Sequence, residues 1–133
     1  MCLLCKYNKP NVAMDDIACY KWVKKTKWID KLFTTRRYKS PIYGKFKWKV
    51  NEEYYQPFNE KKIKYDPLFG TYFLREGFHS LSRKNYFPRH IFPSYYYYEL
   101  VQVECVIPKG TRYFRSEDGK EIISERLKIV REI

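Results

Sequence analysis

The side chains able to do chemistry are few and widely spaced. Cys2 and Cys5 form a Cys-x-x-Cys pair with zinc-knuckle spacing, but a structural zinc site needs two further ligands, normally a second close pair. Cys19 and Cys105 are isolated along the chain, and His79 and His90 lie eleven residues apart. The four cysteines therefore read as free or buried thiols, with no metal site. His79 is followed by Ser80 and Ser82, yet neighbours in sequence do not set a base against a nucleophile. Phosphate-loop, Gly-x-Ser-x-Gly and dinucleotide-binding glycine patterns are absent, and no carboxylate cluster suits two-metal phosphoryl chemistry. The residues themselves point to no cofactor.

Positive charge is what the chain carries in excess. Its net charge is +12, and residues 21 to 49 hold eleven Lys or Arg against Asp30 alone, while residues 1 to 20 balance. Residues 50 to 133 carry fourteen basic against twelve acidic groups. Such a concentration attracts polyanions at long range and weakens with salt. The candidate binding residues are Lys21, Lys24, Lys25, Lys27, Arg36, Arg37, Lys45, Lys47 and Lys49. Nucleic acid, an anionic membrane surface or an acidic protein surface would satisfy them; a solvated face that aids solubility is the plainer reading.

The elements that must position these groups are mostly strands. Lys45-Phe46-Lys47-Trp48-Lys49-Val50 alternates without exception, the period of a half-buried strand. That pattern sets three lysines in a row about 7 Å apart on one face, with Phe46 and Trp48 opposite them. Ile17 to Val23 reads as a central strand, Lys24 to Trp28 as a hairpin end and Leu32 to Tyr38 as its return strand. Residues 51 to 70 read as a long irregular connection with Pro57, Pro67 and Gly70. Tyr72 to Arg75 is a short strand, and Ser80 to Asn85 the one modest helix candidate, capped by Ser80.

Tyr95 to Ile107 is the strongest strand, with Val101, Val103, Cys105 and Ile107 on one face. Pro108-Lys109-Gly110 turns the chain into Thr111 to Arg115. Asp118-Gly119 marks a tight hairpin before the strands Glu121 to Ser124 and Arg126 to Val130. The expected fold is α+β and β-rich, one compact, mostly antiparallel sheet domain of six to eight strands with little helix. Residues 1–16 form an N-terminal arm and residues 17–133 the single domain.

Composition agrees with this reading. Apolar residues make up 44% of 133 positions, enough for one core and too many for general disorder. Aromatics reach 20%, with 14 Tyr, and aromatic rings fit a pleated, half-buried surface or line a groove. No apolar run approaches the roughly 20 residues of a membrane span, and no signal-peptide core is present. A reducing cytoplasm, bacterial or of an infected host cell, is the expected location.

Two resemblances extend over the chain. Cys19-Tyr20-Lys21, Ser40-Pro41-x-x-Gly44, Gly77-Phe78-His79-Ser80 and the run from Glu104 to Tyr113 (ECVIPKGTRY) resemble small uncharacterised proteins of gut Bacteroidetes and their phages. That resemblance implies a phage or mobile-element context and assigns no activity. Gly77-Phe78-His79-Ser80-Leu81-Ser82, Ile107-Pro108-Lys109-Gly110-Thr111 and Glu121-Ile122-Ile123 are similar, in order, to the motifs of ADP-ribosyltransferase toxins. The similarity implies NAD as cofactor, with Ser80 and Ser82 bracing a nicotinamide pocket and Glu121 polarising the ribose. Tyr20-Lys21-Trp22 lacks the Arg or His of that family's opening strand, and Gly119 stands where it often has Glu or Gln. Two functions are thus expected from the sequence: a binding protein for an anionic partner, without catalysis, or an ADP-ribosyltransferase-like enzyme or its inactive relative. A virion-associated or accessory protein acting through protein contacts alone is a third.

Overall fold

A computed structural model describes residues 3–5, 9–25, 37–39, 47–59, 61, 63–68, 70–74, 77–86 and 100–133. Thirteen strands and no α-helix lie among them, so the β-rich, mostly antiparallel reading holds. No helix of the described residues is long and apolar enough to cross a membrane.

The centre of the fold is the antiparallel pair β3 (Ile17–Lys25) and β10 (Leu100–Ile107), in register from Ile17↔Ile107 to Lys24↔Leu100. Both segments are apolar and β-branched enough to tolerate burial on one face, which is what places them in the middle. β10 also pairs with β13 (Arg126–Glu132), which pairs with the short edge strand β6 (Glu53–Tyr55). On its other side β3 touches β9 (Phe78–Leu81) through Tyr20↔Leu81. β9 then pairs with β12 (Glu121–Ser124), β12 with β11 (Arg112–Arg115), and β11 with β2 (Asn11–Val12). Two more strands, β4 (Arg37–Lys39) and β5 (Lys47–Lys49), branch from the end of β3. A separate sheet runs in the order β1 (Leu3–Cys5), β8 (Thr71–Leu74), β7 (Lys64–Asp66).

Alternation along the strands builds two apolar clusters. The larger joins Cys19, Val23, Phe78, Val103, Cys105, Ile107, Ile122, Leu127 and Ile129. The smaller joins Phe58, Leu74, Phe114 and Ile123 between the β11–β12 end of the main sheet and β8. Consecutive residues of β12 thus serve different clusters, Ile122 the first and Ile123 the second, as a period of two requires. Gly77 sits where the second cluster closes, at φ +114, and a β-carbon there would lie 2.8 Å from both Ile123 Cγ1 and Phe58 Cε1.

Three local expectations are corrected. The connection over 51–70 contains β6 and β7, with turns at Asn51 (φ 63) and Gly70 (φ 62). These strands are three residues long, too short for alternation to show. Ser80 is an interior residue of β9 and caps no helix; bends and a turn follow it to Asn85, at φ 63. Partnering with Ile122 across the ladder outweighs Ser80's capping propensity. The strand expected from Tyr72 begins one residue earlier, at Thr71. Within the first sixteen residues, β2 is the edge strand beside β11, and β1 pairs with β8.

The Asp118-Gly119 hairpin forms as read. Gly119 takes φ +73, Asp118 Oδ1 accepts hydrogen bonds from Ser116 Oγ at 2.6 Å and Lys120 N at 2.9 Å, and Gly119 N donates to Ser116 O. At the other turn, Gly110 (φ +85) donates its N–H to Ala13 O at 2.8 Å. Asp16 Oδ1 accepts from Lys109 N at 2.8 Å. These bonds hold residues 13–16 against the main sheet.

Candidate functional site

The cationic residues meet at the branch of the sheet. β4 pairs antiparallel with both β3 and β5, with registers Lys24↔Lys39, Lys25↔Tyr38, Arg37↔Lys49, Tyr38↔Trp48 and Lys39↔Lys47. Positions directly opposite in an antiparallel ladder share a face, and so do positions two apart along a strand. One face of this three-stranded branch is therefore assigned to Lys24, Arg37, Lys39, Lys47 and Lys49. Positions 25, 38 and 48 take the other phase of the register. No register position of the branch holds Asp or Glu.

Such a ladder is unusual in its energetics. Like charges directly opposite one another destabilise a sheet, and three register pairs join cationic residues here: 24 with 39, 39 with 47, and 37 with 49. Lys27, Arg36 and Lys45 lie outside the described residues, as does the Tyr95 to Tyr98 run.

Lys21 belongs elsewhere. It is an odd-numbered position of β3, opposite Val103, on the face that carries Cys19 and Val23. Its Nζ donates a 2.6 Å hydrogen bond to the His79 carbonyl oxygen, and burial lowers its pKa, against the Cys105 and Cys19 sulfurs, which favour its charge. The charge count along the chain does not separate Lys21 from Lys24. The period of β3 does.

Even-numbered positions of β3 lead from Lys24 to an aromatic neighbourhood. Trp22, opposite Gln102, donates its indole N–H to the Tyr86 carbonyl oxygen at 2.7 Å. Gln102 Oε1 accepts from Asn85 N at 3.0 Å. The Lys120 ammonium lies 5.3 Å from the Tyr86 ring centroid, within cation–π range. Half-buried Trp22 and Tyr86 are thus fixed beside the end of β3 from which the cationic branch leaves. Sequence reading singled out neither Tyr86 nor Gln102, because the contact crosses more than sixty residues of chain between Trp22 and Tyr86.

The residues matched to the transferase motifs do not gather. Ser80 is opposite Ile122, whereas Glu121 is opposite Leu81. Alternation sends Ser80 and Glu121 to opposite faces of the β9–β12 ladder. Ser80 is buried beside the first cluster. Ser82, beyond the end of β9, donates its hydroxyl to Gly119 O at 2.6 Å and its N–H to Lys120 O, which ties it to the hairpin. Glu121 is half-buried, and burial, then the Asp118 carboxylate, raise its pKa; its N–H donates to Ser116 Oγ. No cleft bounded by all three side chains follows from this register.

Among the described residues no three His, Cys, Asp or Glu side chains are grouped to hold a metal ion. No protein-family model matches the chain, and neither a curated protein nor a solved structure matches it.

Proposed function

We propose that this chain is a non-catalytic binding protein whose β3–β4–β5 branch engages a polyanion, with single-stranded nucleic acid as the favoured partner. The observation that carries the reading is the register that sets Lys24, Lys39 and Lys47 side by side across three strands, flanked by the Arg37–Lys49 pair. A row of like charges is costly in isolation and is relieved when an anion lies along it. Phosphates of a nucleic acid backbone supply regularly spaced negative charge for such a row. Trp22 and Tyr86, anchored at the adjoining end of β3, favour a single strand, whose bases offer faces for stacking. An acidic protein surface would satisfy the lysines alone.

The test is fluorescence anisotropy with a labelled oligothymidylate over a series of salt concentrations, with polyglutamate as competitor. The expected result is binding that weakens steeply with salt, since each neutralised phosphate adds about 0.7 to the logarithmic slope for single strands. Replacement of Lys45, Lys47 and Lys49 by Glu should abolish it. Absence of binding at low salt removes nucleic acid as the partner. Retention of polyglutamate binding in that case selects an acidic protein surface instead.

A further inference from the structure

At the middle of the sheet, two cysteines more than eighty residues apart in sequence are direct cross-strand partners. Cys19 of β3 and Cys105 of β10 share a register position, both are free thiols, and both have no solvent exposure. Partner positions in an antiparallel pair bring Cα atoms to about 4.5–5.5 Å, inside the roughly 4.4–6.8 Å that disulfides span. Both side chains belong to the same apolar cluster and so lie on the same face of the sheet. The Cys105 thiol donates to Val103 O at 4.0 Å.

The surroundings are more polar than a core needs. The Ser80 hydroxyl sits beside Cys19, and Lys21, on the same face two residues along β3, places its cation near both sulfurs. Interaction with Cys105 works against burial, and with Ser80 and Lys21 it holds the Cys19 thiol below its ordinary pKa. Its partner is pushed the other way: interaction with Cys19 and burial raise Cys105 well above the ordinary value. The Lys21 cation near both sulfurs favours a thiolate within the pair.

We propose that Cys19 and Cys105 are an oxidation site that closes to a reversible disulfide, with hydrogen peroxide or another small hydroperoxide as the oxidant. The Cys19 thiolate attacks the distal peroxide oxygen; an S–O bond forms, the O–O bond breaks, and the leaving oxygen takes a proton as water or alcohol. Cys105 then attacks the sulfenic sulfur; the S–S bond forms, the S–O bond breaks, and the hydroxyl leaves as water with the proton of Cys105. Two thiols are oxidised by two electrons and one peroxide is reduced. Complete burial restricts the reaction to small oxidants, and excludes bulky thiol reagents until the strands part. The product links the two central strands covalently and closes a long loop, which narrows the unfolded ensemble.

The test uses the full chain, with Cys2→Ser and Cys5→Ser to remove the other thiols, and leaves the unsubstituted chain as a control for folding. Hydrogen peroxide is added to the folded protein, and peptides are mapped under non-reducing conditions. The expected product is a Cys19–Cys105 linked peptide, two hydrogens lighter, restored by dithiothreitol, with a raised thermal midpoint. Cys105→Ala should stop at a sulfenic acid on Cys19 that a dione reagent traps once the oxidised protein is unfolded in denaturant. Lys21→Met should slow the reaction, since it removes the cation that favours the thiolate. If peroxide leaves the pair reduced, or drives either cysteine to sulfinic acid with no linked peptide in any background, the proposal is overturned. Equal rates with and without Lys21 overturn the thiolate route.

Discussion

Two charged regions of this molecule obey opposite rules. At the β12–β13 junction the buried Glu125 is fully matched. Its carboxylate accepts from Arg112 Nε at 2.6 Å and Arg112 Nη2 at 2.9 Å, and from Phe58 N at 2.8 Å. The Arg112 guanidinium also lies 5.9 Å from the Phe58 ring centroid. Every formal charge there has a partner within the chain. At the β3–β4–β5 branch, the register partners Lys24↔Lys39, Lys39↔Lys47 and Arg37↔Lys49 are both cationic. The first arrangement serves the fold, because a buried carboxylate is tolerated only when paired and hydrogen-bonded. In the second, the register partners are cations on both sides, so these positions add no favourable cross-strand charge pair. Charge matched internally serves the fold, and the like-charged register positions are where the proposed polyanion would bind.

The contrast can be broken experimentally from both sides. The largest effect is expected at the matched site: Glu125→Ala should lower the unfolding free energy by about 2–3 kcal/mol, the range for a hydrogen-bonded charge lost from a largely buried pair whose cation can still reach water. Denaturant melts measure this, and oligonucleotide affinity at low salt should stay unchanged. A loss of affinity equal to that of the lysine variants would erase the distinction between the two regions.

The pH profile gives the next largest signal. Burial alone would raise the pKa of Glu125, but the Arg112 hydrogen bonds and the Phe58 N–H outweigh it and bring the pKa below the usual 4.5. A carboxyl depressed on folding contributes stability that is complete above its unfolded pKa and is lost as pH falls through the folded value. Thermal midpoints of the native chain should therefore drop on acidification below about pH 4.5, and Glu125→Gln should flatten that part of the curve. A curve of the same steepness in the variant would assign the acid sensitivity to other groups.

The smallest effect is the most discriminating. Lys39→Glu places a carboxylate between Lys24 and Lys47, so two repulsive rungs become attractive. The isolated protein should gain up to about 1 kcal/mol, while polyanion affinity falls about tenfold through one lost contact and one added repulsion. Stability and binding should move in opposite directions. A variant that loses both would show that position 39 matters to the fold itself.

Much of the fold was legible from local pattern. The faces of β10 follow from the spacing of Val103, Cys105 and Ile107, all fully buried, and the last hairpin follows from Asp118-Gly119. Short strands escaped, because the three residues of β6 or β7 carry too little periodicity to separate them from a loop. The proposed binding surface was legible as a charge excess but not as a set of neighbouring positions. Which lysines stand together depends on the pairing of β3, β4 and β5, a register set over long range. Lys21 illustrates the limit: by type it matches its neighbours, and only the phase of β3 relative to β10 turns it toward the two cysteines. The same long-range pairing joins Cys19 to Cys105, which reads in sequence as two isolated thiols.

Residue 125 also governs how the architecture tolerates change. Ser124 ends β12, Arg126 begins β13, and the single residue between them donates its N–H to Arg112 O while its carbonyl oxygen accepts from Gln56 N. The chain thereby crosses from one half of the main sheet to the other with no slack. An inserted residue at this hinge cannot be absorbed in a loop. It would rotate the phase of everything after it, sending Leu127 and Ile129 to solvent and Arg126 and Lys128 inward. Natural or engineered length variation should be tolerated almost anywhere sooner than here.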